Sequence, residues 1–275
     1  MIETVRSVVH PWECDAVEHF TTAYYYRAFG WAGWHLLQRL GHDAAAIAAL
    51  RPVSCRTRFL QELRAGDAYH ITSGIVEAGG GALVLGHRLF NSETGETAAT
   101  HAERREGPTR SRYDPGLAAE LDETKPVGEV DFERLDMWST TAMTIVKASD
   151  LDHTGQFGLD ALIHHASDAN VQFQNMIAMT SSYMHENRIG FATAEYQIAL
   201  GPLPRAIGTV VETKSALAHL GRTSLWMAHR ATDCATGETV ARIAQFGVHL
   251  DRRARRPAEI PPHIREAASA RLVTA

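Results

Sequence analysis

The chain states one turn twice. "TGETA" at Thr94–Ala98 returns as "TGETV" at Thr236–Val240, 142 positions later. A His-Arg pair precedes each copy, His87-Arg88 and His229-Arg230, again 142 apart. Strand-like runs flank both turns, in "ALVLGHRLFNSETGETAATHAERR" and "SLWMAHRATDCATGETVARIAQFGVHLDRR". Glycine and polar residues favour turns in any hairpin, so the tetrapeptide alone carries little. The His-Arg pair at the same offset makes it a repeat. A second echo precedes it. "ECDAVEHF" at Glu13–Phe20 matches "DLDHTGQF" at Asp150–Phe157, with Asp15 on Asp152 and Phe20 on Phe157, 137 positions apart. An insertion between the two echoes accounts for the change of offset. Self-similarity of this kind constrains the architecture before any single element does.

Each copy reads in one order. A short strand comes first, Thr4–Val9 or Met143–Ala148, then a polar loop holding the Asp. A long helix follows. In the first copy Phe29, Ala32, Gly33, Leu36, Leu37 and Leu40 recur at helical spacing, with Gly41 as the stop. In the second, the helix runs from Leu159 to Met179. Four strand-like runs come next: Val53–Leu63, Ala68–Glu77, Leu83–Asn91 and Thr97–Glu106, then Gly190–Leu200, Ile207–Ala216, Thr223–Thr232 and Thr239–Leu250. A helix buried against an antiparallel sheet, stated twice, is an α+β plan. With 275 residues the chain is long enough for two cores. The expected layout is residues 1–106, a linker at 107–138 with a short helix near Leu117–Leu121, a second unit at 139–262, and a tail at 263–275.

Composition removes several classes of function. A formal charge of −5 argues against a general affinity for nucleic acid or acidic membranes. Cys14, Cys55 and Cys234 are scattered and form no CxxC pair, so neither a zinc knuckle nor a disulfide framework is expected. With no signal peptide and no apolar run of about 20 residues, the expectation is a cytoplasmic protein.

The order of elements resembles the hotdog fold. The first half is similar to the 4-hydroxybenzoyl-CoA thioesterase branch, whose helix opens with D-x-x-G-H-V-N-N-x-x-Y. Asp15, His19 and Tyr25 match that pattern, Glu18 replaces the Gly, and Thr21-Thr22 replace the Asn pair. "PVSCRTRFLQELRAGDAYHI" resembles the family's second and third strands, and "RRPAEIPPHIR" its ending. In the second half Asp152 and Gly155 match, while Gln156 stands where the His would be.

The resemblance implies a double hotdog that hydrolyses an acyl-CoA or acyl-carrier thioester, with an aromatic or a short- to medium-chain acyl group. It carries no cofactor, binds no metal, and assembles as a homo-oligomer. Asp15 is then the catalytic carboxylate, base or nucleophile, with His19 and Asp152 beside it. A helix N-terminus can stabilise the developing oxyanion. Trp12, Thr22, Tyr25, Gln156 and Asp160 are candidates to line the substrate. Arg104, Arg105, Arg252 and Arg253 are candidates for the CoA phosphates. Asp160, His164 and Asp168 share one helix face, and another thioesterase branch carries its acid on this helix. The same residues permit blander roles. Asp15 can serve as a helix N-cap, the aromatic run as core, and the arginines as a solvated surface. A hydratase or dehydratase acting on an enoyl or 3-hydroxyacyl thioester, and a non-catalytic acyl-thioester binder, are the competing functions.

Overall fold

The computed structural model describes residues 1–15, 17–109, 113–121 and 128–272. The chain divides into two units. Unit 1 takes Met1–Thr124 together with Asp152–Ile163, and unit 2 takes Lys125–Leu151 with His164–Ala275. The division does not follow chain order: the second Asp loop and the first turn of the following helix pack with unit 1.

Unit 1 opens with strand β1 (Ile2–Val8), then helices α1 (Thr22–Arg39) and α2 (Ala44–Ala49). Strands β2 (Arg51–Phe59), β3 (Ala68–Gly79), β4 (Ala82–Asn91) and β5 (Thr97–Glu106) follow. Its sheet runs β1-β3-β4-β5-β2, and each of these pairs is antiparallel. α1 buries Phe29, Ala32, Leu36 and Leu37, spaced to fall on one stripe. Phe29 and Ala32 pack with Ile71, Leu89 and Ala98. Leu36 and Leu37 pack with Ile75, Leu83 and Leu85. Burying a side chain of this size stabilises by about 1.5–3 kcal/mol, so the stripe fixes the helix on the sheet.

Unit 2 repeats the plan with β6 (Ser139–Ile145), α3 (Leu159–Met176), α4 (Ser181–Asn187), β7 (Ile189–Leu200), β8 (Val210–Leu220), β9 (Ser224–Asp233) and β10 (Thr239–Asp251). A two-residue strand β11 (Arg256–Pro257) pairs with β10, and helix α5 (Pro262–Ser269) closes the unit. The sheet runs β6-β8-β9-β10-β7, also antiparallel. Phe173 and Ile177, at the end of α3, pack with Leu217, Leu225 and Met227.

The repeat is visible bond by bond. In the TGET turns, Gly95 N donates to Asn91 O at 2.9 Å and Gly237 N to Asp233 O at 2.8 Å. Both glycines hold a left-handed backbone, φ 73° and 74°, which only glycine adopts without cost. A buried polar chain is duplicated too. Thr4 Oγ1 lies 2.6 Å from Ser73 Oγ, which lies 2.6 Å from His87 Nδ1. Thr141, Ser215 and His229 repeat it at 2.7 and 2.7 Å. The His of each His-Arg pair is therefore a core residue, fully buried in both units.

Several boundaries differ from the sequence reading. The strand expected at Met143–Ala148 runs Ser139–Ile145 and stops short of Ala148, which already belongs to a turn tied by Asp150 Oδ2 accepting from Lys147 N at 2.9 Å. The strand expected from Ile207 begins at Val210, after a tight turn at Gly208, φ 92°. The short helix expected near Leu117–Leu121 is a 3-10 turn at Pro115–Leu117, set by Asp114 accepting from Gly116 N at 2.8 Å. Its neighbour Ala119 donates to Ile75 O at 2.7 Å, and a Cβ on Gly74 would meet Leu117 O at 2.5 Å. This stretch is laid directly on β3. Within the stretch expected as a tail, Ile264 and Ala268 of α5 are buried. Among the described residues, no helix is long and apolar enough to cross a membrane.

Candidate active site

Both Asp loops fold into one shape. Asp15 N donates to His19 O at 2.9 Å, and Glu18 N to Asp15 O at 3.0 Å. In the second loop Asp152 N donates to Gln156 O at 2.7 Å, and Gly155 N to Asp152 O at 2.9 Å. The carboxylate seals each turn from inside. Asp15 Oδ1 accepts from Val17 N at 2.9 Å and His19 N at 3.0 Å. Asp152 Oδ1 accepts from Thr154 N at 2.8 Å, Thr154 Oγ1 at 2.6 Å and Gln156 N at 3.2 Å. A short acid that bonds the backbone two residues on is the usual closure of such a turn. Upstream, Glu13 Oε2 accepts from His10 N at 3.0 Å, as Asp150 does from Lys147.

Asp15 is not the cap of α1. The N-cap is Thr21, whose own N–H donates to Glu13 O at 2.9 Å. Asp15 is exposed, and both of its bonds fall on Oδ1. Among the described residues, none is hydrogen-bonded to Oδ2. A carboxylate with one oxygen anchored and the other open is oriented for base or nucleophilic work.

The imidazole of His19 is engaged elsewhere. Its Nε2 lies 3.3 Å from Glu62 Oε2 and 3.5 Å from Arg64 Nη2, on the segment leading out of β2. Glu62 and Arg64 were not candidates in the sequence. They meet His19 through a bridge between His19 and Arg64 that no local spacing announces. Trp12 is 72% exposed and stacks on His10 with ring centroids 4.4 Å apart. Tyr24 OH reaches the Trp12 carbonyl at 3.5 Å. Thr22 is the first residue of α1 and is half-buried. Tyr25 is a core residue, packed on Phe20 and Phe59 at 4.6 and 5.2 Å, and burial pushes its phenol well above the usual range.

The second loop meets α1 inside unit 1. Arg27 Nε donates to Asp160 Oδ2 at 3.1 Å, and the same guanidinium sits 4.5 Å over the Tyr24 ring. One face further along α1, Trp34 meets His153 edge-on at 4.0 Å. Gln156 is buried and donates from Nε2 to Thr154 Oγ1 at 3.0 Å. Asp15, His19, Trp12, Thr22, Asp152, Gln156 and Asp160 thus all belong to unit 1.

The arginine candidates part company. Arg105 turns inward, with Nη2 3.0 Å from Glu103 Oε1 and Nη1 donating to Leu50 O at 3.3 Å. Arg104 lies 3.6 Å from Glu106. Arg252 and Arg253 are exposed after β10 in unit 2. His165 of α3 bonds Thr144 Oγ1 at 2.8 Å and lies 3.9 Å from Asp150, and burial lowers its pKa. Among the described residues, no group of three His, Cys, Asp or Glu is placed to share a metal ion.

Comparison with known proteins gives this geometry a context. Residues 9–106 match the family described as the Thioesterase-like superfamily, and residues 139–268 match the Acyl-ACP thioesterase N-terminal domain. Comparison with curated protein sequences gave no match. Three solved structures share the fold over nearly the whole chain. An acyl-ACP thioesterase from Bacteroides thetaiotaomicron is 11% identical, with TM-score 0.66, covering 88% of this chain and 96% of its own. A putative oleoyl thioesterase from Lactobacillus plantarum is 10% identical, with TM-score 0.64 and coverages of 90% and 95%. A 12:0-ACP thioesterase from Umbellularia californica is 11% identical, with TM-score 0.61 and coverages of 89% and 93%. The chain is a double hotdog with a thioesterase domain match in each half, and it is a thioester hydrolase.

Proposed function

We propose that the chain hydrolyses an acyl thioester carried on a phosphopantetheine arm, with Asp15 as its catalytic carboxylate. The arm is common to CoA and to acyl carrier protein. The acyl group is aromatic or of short to medium length. The observation that carries the proposal is the state of Asp15: Oδ1 is held by two backbone N–H groups, while no described residue bonds Oδ2. Oδ2 either takes a proton from an attacking water or attacks the acyl carbon itself. In the first route the C–S bond breaks as the water oxygen bonds carbon, and the thiolate leaves with the electron pair. In the second a mixed anhydride forms and water then cleaves it. Both routes need the carboxylate fixed and ionised, and both lose it with the charge.

Asp152 has the same turn but a different neighbourhood. Its Oδ1 takes a third donor from Thr154 Oγ1, and buried Gln156 stands where His19, paired with Glu62, stands in the first loop. We therefore assign Asp152 to holding the turn. The test offers a panel of acyl-CoA and acyl-carrier-protein thioesters, with free thiol as the readout. Wild type should release thiol from at least one member. Asp15→Asn should lose on the order of 10²–10⁴ in rate with its melting temperature kept. Thiol release at the wild-type rate by Asp15→Asn overturns the assignment.

A further inference from the structure

One kind of turn leads into each Asp loop, and only the first copy carries aromatic rings. In the first, a 3-10 turn at Pro11–Glu13, Glu13 N donates to His10 O at 3.0 Å and Cys14 N to Pro11 O at 3.3 Å. In the second, at Ala148–Asp150, Asp150 N donates to Lys147 O at 3.0 Å and Leu151 N to Ala148 O at 3.3 Å. An acid ends each turn and accepts from the backbone N–H three residues back, Glu13 from His10 and Asp150 from Lys147. At the offset of 137, Lys147 and Ser149 stand where His10 and Trp12 stand. The backbone closes in the same way with the rings or without them, so the turn does not require them.

The rings build something the second turn lacks. His10 and Trp12 stack with centroids 4.4 Å apart and planes 6° from parallel. Trp12 is nonetheless 72% exposed. The imidazole therefore backs one face of the indole and leaves the other to solvent. An indole carries one of the largest apolar surfaces of any side chain, and holding it in water forgoes the burial that would stabilise the fold. The flat face is also held still. Pro11 fixes the backbone between the two rings, Glu13 clasps His10, and Tyr24 OH donates to the Trp12 carbonyl at 3.5 Å. Trp12 precedes Asp15 by three residues, so their Cα atoms are at most about 11 Å apart. A ring lying on the indole is then close to an acyl carbon at Asp15. The adenine of CoA sits at the far end of the phosphopantetheine arm.

We propose that the outer face of Trp12, backed by His10, is a platform for an aromatic ring on the acyl group of the thioester, and that Trp12 sets a preference for aryl over saturated chains. The proposal rests on the acyl-thioester reading above and narrows its acyl group to the aromatic class. A flat ring stacks on the indole in an offset arrangement and gains from ring–ring attraction as well as from area. A saturated ring of the same size gains from area alone. That difference is worth about two- to tenfold in binding.

The test compares kcat/KM for phenylacetyl and cyclohexylacetyl thioesters, and for their homologues one methylene longer. The methylene insulates the carbonyl from the ring, so the two members of a pair are alike in reactivity. Each is offered on CoA and on pantetheine, which has no adenine. Wild type should favour the phenyl member of at least one pair by about two- to tenfold, on either carrier. Trp12→Ser and His10→Lys bring the residues that the second turn already uses, so both should fold. Trp12→Ser should bring the ratio to about one, His10→Lys should lower it, and Trp12→Phe should keep most of it. A residue that merely supports the fold would lower both rates and leave the ratio alone. A wild-type ratio near one in both pairs, or a ratio unchanged in Trp12→Ser, overturns the platform. A loss in Trp12→Ser that is confined to CoA esters and equal for both acyl groups assigns the ring to adenine and overturns it too. The rate of Asp15→Asn reports separately on the thioesterase reading. If no thioester turns over, dissociation constants of the non-hydrolysable thioethers replace kcat/KM. Equal constants for the phenyl and cyclohexyl members then overturn the platform in the same way.

Discussion

Glu18 and Gly155 occupy the same corner of the same turn, 137 positions apart, with φ of 65° and 74°. The glycine holds this left-handed backbone freely. The glutamate pays about 1–2 kcal/mol for it. Glu18→Gly should therefore stabilise the protein by about 0.5–1 kcal/mol, after the extra freedom of glycine in the unfolded chain is discounted. The urea midpoint should rise. Gly155→Ala should lower it by a similar amount. A fall in midpoint for Glu18→Gly would show that its side chain contributes something the backbone geometry does not reveal.

The two aspartates should separate in activity. Both anchor a turn through Oδ1, so Asn at either position keeps an acceptor there. Only Asp15 is assigned the chemistry. Asp152→Asn should leave kcat within about threefold of wild type, against the loss of about 10²-fold or more expected at Asp15. Equal losses at the two sites would mean that both loops feed the reaction.

Asp160 gives a third separation. It lies on α3, where an acid can also act as a base, but the structure pairs it with Arg27 at 3.1 Å. That pair is partly exposed, 38% and 25% by side chain. A double-mutant cycle with Arg27→Ala and Asp160→Ala should give a coupling of about 0.2–1 kcal/mol in stability. Asp160→Asn should change kcat by less than about threefold. A loss of several hundredfold with normal stability would move the catalytic carboxylate to α3.

Periodicity and turn chemistry made most of the fold readable. β5 runs Thr97–Glu106 as expected, and Gly41 follows the end of α1. α2, α4 and α5 went unseen because helices of six to eight residues offer too few turns for an apolar stripe to declare itself. At the site, Asp15 and its twin were legible because the loop is local and repeated. The partners of His19 and Asp160 were not. Glu62 lies 43 residues from His19, and Arg27 lies 133 from Asp160. Only the packed fold brings such groups together. Arg105 is a phosphate candidate by residue type and by its place matching the arginine run after β10, and strand alternation brings it to Glu103, a contact the sequence does not announce. The His-Arg echo marked a repeat without disclosing its purpose, a hydrogen-bonded core histidine in each unit.

Those core histidines make stability depend on pH. Burial holds His87 and His101 neutral down to about 3 and His229 down to about 4, against an ordinary value of 6.5. For His87, the neighbouring His101 lowers the value further and Glu103 raises it; for His229, the bond to Gln245 raises it. In the unfolded chain each imidazole takes a proton near pH 6.5. The folded protein refuses it until about 3 or about 4. Between those limits the unfolded state binds more protons, so stability is full above pH 6.5 and falls as the pH falls. Each group contributes a slope of about 1.4 kcal/mol per pH unit. Three such groups spend a typical stability of about 5–15 kcal/mol within a few units. Urea midpoints measured from pH 7.5 to 5 should fall steeply below 6.5, above the range where ordinary carboxylates titrate. His229→Gln should remove about one third of that slope, since the three groups contribute alike. A midpoint flat from pH 7 to 5 would mean that these imidazoles accept protons in place.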